Sequence, residues 1–74
     1  MRQHFELCYC GGPHPEIISI HWTLNGVQKA FRKRNPHIFD RDYAQRMGMA
    51  NTGTFDRIYF VDSDGERRVV AYGD

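Results

Sequence analysis

The stretch FDRIYFVDSDGERRVVAYGD, residues 55–74, decides the fold. Two runs rich in β-branched and aromatic residues flank Asp62, Ser63 and Asp64, and Gly65 follows them. Such a pattern predicts an antiparallel hairpin closed by a type I turn with a glycine bulge. That turn fixes the register. Ile58 should face Val70, and Phe60 should face Arg68. A lone hairpin is not stable in water, so the rest of the chain must extend the sheet and cover one face.

The N-terminal part supplies the extension. In residues 4–10, Phe5, Leu7 and Tyr9 alternate with His4, Glu6, Cys8 and Cys10, the period of a half-buried strand. Gly11, Gly12 and Pro13 end it, and Pro15 keeps the chain turning. EIISIHW, residues 16–22, reads as a second strand. Ile18, Ile20 and Trp22 share one face, and Ile17, Ser19 and His21 share the other. The short connection suits a second hairpin.

Thr23 is a good N-cap for the run LNGVQKAFRKR, residues 24–34. Leu24, Val27 and Phe31, with Ala30 beside them, form one apolar stripe. Lys29 and Lys33 fall nearly opposite it, with Arg32 to one side. Asn25 and Gly26 are weak helix formers, so the first turn depends on packing. Asn35 and Pro36 end the helix. A second, short helix is expected at DRDYAQRMGM, residues 40–49. Asp40 would cap it, Ile38 or Phe39 would act as a staple, Tyr43, Ala44 and Met47 would point inward, and Gly48 would end it. NTGT, residues 51–54, has loop composition.

The fold class is therefore α+β. A small antiparallel sheet of about four strands, in the order β-β-α-β-β, packs on one main helix, and a second short helix is possible. The expected core is Phe5, Leu7, Trp22, Phe31, Ile58 and Phe60. At 74 residues the chain forms one domain, residues 1–74, with a thin core. It reads as a complete short reading frame.

Composition excludes some functions. No apolar run approaches the roughly 20 residues of a membrane helix, and no secretory leader is visible. Two cysteines are too few for a disulfide framework, so a cytoplasmic protein with free thiols is expected. The formal net charge of +1 hides an uneven distribution. Residues 29–46 hold six bases and two acids, whereas the remainder holds four bases and seven acids.

Four candidate sites follow. His4, Cys8, Cys10 and His14 supply four potential zinc ligands, making a small zinc module one alternative. The spacing disfavours it. On a strand, Cys8 and Cys10 lie about 6.6 Å apart, whereas two sulfurs on one zinc need to be under about 4 Å apart. Cys10 with His14 or His21 could form a thiolate pair, but no third, orienting residue stands at a recognisable spacing, and no enzymatic activity is expected. No cofactor is implied.

The basic residues Lys29, Arg32, Lys33, Arg34, Arg41 and Arg46 suit a nucleic-acid or anionic partner. Bases in the last turn of a helix also simply complement its dipole. Finally, one helix cannot cover both sides of a sheet. A face carrying Tyr59, Val61, Val69 and Cys8, or one carrying Ile17, Ser19 and His21, would be open to a partner or to a homodimer unless residues 38–49 cover it.

In size and in the order of its elements the chain resembles the small stand-alone proteins that bacteriophages use to block host machines, anti-CRISPR proteins among them. The resemblance implies a domain without an active site that modulates a larger protein or nucleoprotein complex. It assigns no role to any residue. The first expectation is thus an inhibitory binding protein, and the second a nucleic-acid-binding domain using the basic helix.

Overall fold

The computed structural model describes residues 2–48 and 54–70, without the side chains of Phe39, Arg41, Tyr43 and Ala44. The elements are β1 (His4–Tyr9), β2 (Glu16–His21), α1 (Leu24–Arg34), α2 (Pro36–Phe39), α3 (Arg41–Arg46), β3 (Asp56–Val61) and β4 (Arg67–Val70). The α+β class and the single main helix are as expected. The order differs, because two short helices rather than one stand between α1 and β3. Pro36 explains the first. It cannot continue α1, but it has no N–H to leave unpaired at a helix start, so it opens α2 directly after Asn35. Asp40 closes α2, donating its N–H to the Pro36 carbonyl at 3.0 Å, and stands directly before α3, the short helix expected within 40–49.

All four strands join one antiparallel sheet in the order β2-β1-β3-β4. The C-terminal hairpin has the expected register, Ile58 opposite Val70 and Phe60 opposite Arg68. Its turn has the expected chemistry too. Gly65 donates to the Asp62 carbonyl at 3.0 Å and takes a φ of 86°, which glycine adopts without strain. The Asp62 carboxylate accepts from the N–H groups of Asp64 and Glu66. At the other hairpin Gly11 is required by space, since a Cβ there would run into the Tyr9 hydroxyl and the Phe55 ring.

Leu7, Val27, Phe31 and Ile58 form the buried core, with Phe5, Ala30, Ile38 and Val70 packed against it. Phe60 lies beside Phe5, ring centroids 5.3 Å apart. Trp22, expected in the core, is 57% exposed and lies on the other side of the sheet. The reason lies in β2. Between Leu7, which faces Ser19, and Cys8, which faces Ile17, Ile18 is an extra residue, a β-bulge. The bulge reverses the alternation. Ser19 and His21 turn toward α1, bonded to each other at 2.7 Å, and Ile17 and Ile20 turn outward. Ile17, Ser19 and His21 therefore do not share a face. The first turn of α1 also sits close to β2: a Cβ on Gly26 would stand 3.5 Å from the His21 ring.

Thr23 caps α1 as expected, its hydroxyl accepting from the Gly26 N–H at 3.0 Å. The far end is held by polar bonds. The Asn35 amide donates to the Phe31 carbonyl and to Asp56, both at 2.9 Å, and the Thr54 hydroxyl donates to the Asn35 carbonyl oxygen at 2.6 Å. Gly48, at a φ of 67°, donates to the Gln45 carbonyl just past α3. Met47, expected to point inward, is 59% exposed. The inward positions expected for Tyr43 and Ala44, the staple role of Phe39, and residues 51–53 and 71–74 lie outside the described residues and side chains.

Candidate functional site

Helix α1 covers one face of the sheet, and α2 packs onto α1. Among the described residues, no helix covers the opposite face. That face is built from His4, Glu6 and Cys8 of β1, Ile17 and Ile20 of β2 with Trp22 beyond it, Arg57, Tyr59 and Val61 of β3, and Arg67 and Val69 of β4.

The face has two parts. Its centre is polar and buried: His4, Glu6, Cys8 and Val61 are each less than a tenth exposed. Glu6 holds it together. One carboxylate oxygen lies 3.0 Å from His4 Nε2, and the other pairs with the Arg67 guanidinium. The same Arg67 nitrogen donates to Cys8 Sγ at 3.2 Å, and the guanidinium lies 5.0 Å over the Tyr59 ring. A buried carboxylate held between an imidazole and a guanidinium is a stable arrangement, because each oxygen that loses water gains a partner. Every buried side-chain polar atom among the described residues has a partner.

Both ring nitrogens of His4 face acceptors. Nδ1 lies 2.9 Å from the Arg2 carbonyl and Nε2 lies beside Glu6. The carbonyl of Arg2, and next the Glu6 carboxylate, raise the His4 pKa above its ordinary 6.5. Burial pushes the Cys8 thiol up, against the pull of the Arg67 charge. The Tyr59 hydroxyl is raised by its hydrogen bond with Cys10, 3.8 Å away, and then by burial.

Around this centre lies an apolar rim. Ile17, Ile20, Trp22 and Val69 are each more than half exposed. The Arg2 guanidinium stacks on the Trp22 ring at 4.3 Å, and His4 meets that ring edge-on with centroids 6.0 Å apart. Between Trp22 and Arg67 runs an open groove of about 590 Å³, floored by Glu6 and Val61.

The face expected from Tyr59, Val61, Val69 and Cys8 is thus the outer one, but Cys8 and Val61 are buried within it. The sequence reading missed Arg2, Trp22 and Arg67 as contributors. For Trp22 the missing signal was a one-residue bulge in β2, which an isoleucine-rich strand does not announce; Arg67 arrives through the strand order.

The other candidate sites come apart. Cys10 lies by Tyr59, His14 lies in the exposed β1–β2 turn, and Arg67 fills the space between Cys8 and Glu6. Among the described residues no three His, Cys, Asp or Glu side chains are arranged to hold a metal ion. His21 lies on the helix side of the sheet, so it does not meet Cys10.

In the basic segment, Lys29, Arg32 and Lys33 are exposed along α1, and Arg46 is exposed in α3. The Arg41 side chain is outside the described residues. Arg34 has a structural engagement: its fork takes the Asp56 carboxylate at 2.8 and 3.3 Å. Burial raises the Asp56 pKa, but Arg34 and Asn35 outweigh it and hold the carboxyl below its ordinary range.

Fold and face together define a small α+β domain with one helix-covered side and one open, partly apolar side. No protein-family model, curated protein or solved structure matches the chain. No helix among the described residues is long and apolar enough to cross a membrane.

Proposed function

We propose that this protein is a non-enzymatic binding domain of the cytoplasm that docks through its outer sheet face onto a larger protein or nucleoprotein complex and modulates it. One observation carries the reading: Ile17, Ile20, Trp22 and Val69 share that face, each more than half exposed. A domain with so small a core gains from burying every large apolar side chain it has, and exposed clusters of this kind mark interaction surfaces. Trp22 and the arginines beside it are the residue types that dominate binding energy at protein interfaces. Inhibition by occlusion is the mode we favour, since a small domain with one open face acts by covering a surface of its partner. The outline likeness to phage-encoded inhibitors points the same way.

The test is capture from a lysate of the native host, with Trp22→Ala plus Ile20→Ser and, separately, Lys29→Glu plus Lys33→Glu as controls. The reading requires a stoichiometric partner that the first pair loses. Retention of that partner by the first pair sinks it. Sedimentation of the protein alone separates a partner from a homodimer.

A second reading is nucleic-acid binding through Lys29, Arg32, Lys33 and Arg46, favoured by their exposure on α1 and α3. It requires affinity that falls steeply with salt, and a shallower salt slope after reversal of Lys29 and Lys33. Absence of DNA or RNA binding at low salt removes it.

A further inference from the structure

Resting on the reading of the outer face as the docking surface, we propose that the groove between Trp22 and Arg67 receives an acidic segment of the partner protein: an apolar side chain with a carboxylate beside it.

The argument is charge complementarity. The walls are apolar where Ile20, Trp22 and Val61 line them, and cationic where Arg2 and Arg67 do. Glu6 is the acid of the groove, and it is spent, with one oxygen on His4 and the other on Arg67. A cationic ligand therefore finds no available carboxylate. An anionic one finds donors. Among the described residues, the Arg2 guanidinium meets the Trp22 ring but no carboxylate. Arg67 spends a single nitrogen, Nη2, on Glu6 and Cys8, which leaves Nε and Nη1 to bind a carboxylate from solvent. His4 turns both ring nitrogens to acceptors, the Arg2 carbonyl and Glu6, so it offers a cationic ligand no free lone pair.

A peptide fits better than a nucleic acid. A base stacks on an open aromatic face, and here Arg2 covers one side of Trp22 while His4 abuts the ring. The rest of the rim is aliphatic: Ile17, Ile20 and Val69. Arg57, the other cation of this face, points its guanidinium to the backbone carbonyls of Thr54 and Asp56.

The test uses arrayed peptides with a central Leu, Phe or Trp flanked by Asp/Glu, by Asn/Gln or by Lys/Arg. The best are then titrated in solution against the fluorescence of Trp22, the single tryptophan of the chain. Acidic peptides should bind about tenfold or more tighter than their amide isosteres, the size of one charge-assisted contact. Arg2→Met, which keeps the stem and removes the charge, should erase part of that preference. Arg67→Met should erase more, and an unchanged circular dichroism spectrum shows that its fold is intact.

Equal binding of amide isosteres, or no binding by any peptide, overturns the proposal. So does tighter binding of a single-stranded oligonucleotide, or a self-association that Arg2→Met abolishes. These results are distinct from failure of the docking reading itself, in which a captured partner is indifferent to Trp22 and Ile20.

Discussion

Arg34, in the last turn of α1, grips Asp56, the first residue of β3, through two hydrogen bonds of 2.8 and 3.3 Å. The carboxylate is 4% exposed and the guanidinium 45%. With the Asn35 bridge to the same carboxylate, the contact ties the end of the main helix to the start of the C-terminal hairpin. It takes one residue of the basic segment out of the pool available to a partner.

Replacing Asp56 with Ala should therefore destabilise the domain by about 1–3 kcal/mol, the range for a lost buried acceptor of charged and amide donors. Arg34, being half exposed, recovers water, which holds the cost below that of a fully buried pair. Urea unfolding measures it. The sign with pH follows from the lowered carboxyl. Its contribution is present above the ordinary carboxylate value of about 3.9 and is lost as pH falls through the lower folded value. Asp56→Asn should flatten acid unfolding below about pH 4.

His4 behaves in the opposite sense. Its folded pKa is raised above 6.5, so its contribution is full below 6.5 and is lost as pH rises through the folded value. A histidine titration by NMR should find His4 titrating above the ordinary histidine value of about 6.5, and His4→Gln should remove the alkaline part of the pH dependence of stability. A midpoint for His4 at or below 6.5 contradicts the double-acceptor geometry.

Phe31 and Trp22 should separate stability from binding. Phe31 is 1% exposed, and Phe31→Ala should cost about 3–5 kcal/mol, most of what a domain of this size has. Trp22→Ala should cost less than about 1.5 kcal/mol, because more than half of the side chain is already in water. It should nonetheless accelerate dissociation from the partner more than any other single change on the face.

Lys29 and Lys33 should act on rate. Among the described residues neither makes an ion pair, so reversing both to Glu should cost only about 1 kcal/mol, from the acid that replaces Lys33 in the last turn of α1. Association with a negatively charged partner should slow at low salt, and the difference should fade as the Debye length shortens. Stopped-flow mixing at two ionic strengths reads this directly.

Gly11→Ala tests the first turn. A methyl at that position meets Tyr9 and Phe55, whose rings pack edge-on at 6.3 Å, and one of them must move. A loss of about 1–3 kcal/mol is expected by thermal melting, the usual cost of overpacking.

The stretch 55–74 and its surroundings determined much of this by themselves. Residues 55–70 encode their hairpin and its register, because Gly65 and the Asp62 carboxylate dictate one turn and side chains alternate from it. Thr23 and the Val27–Phe31 stripe encode α1, and Pro36 encodes its end. These are local rules, readable within a few residues. The outer face is different. An extra residue at Ile18 decides that Ser19 and His21 face the helix while Ile17 and Ile20 join Trp22 outside, and alternation in EIISIHW suits either choice. Glu6, His4 and Arg67 come together only because β3 lies between β1 and β4, placing residues 61 positions apart in one ion pair. Trp22 stands outside with Ile20 in that register, so strand pairing, and not hydrophobicity, decided where the one tryptophan stands.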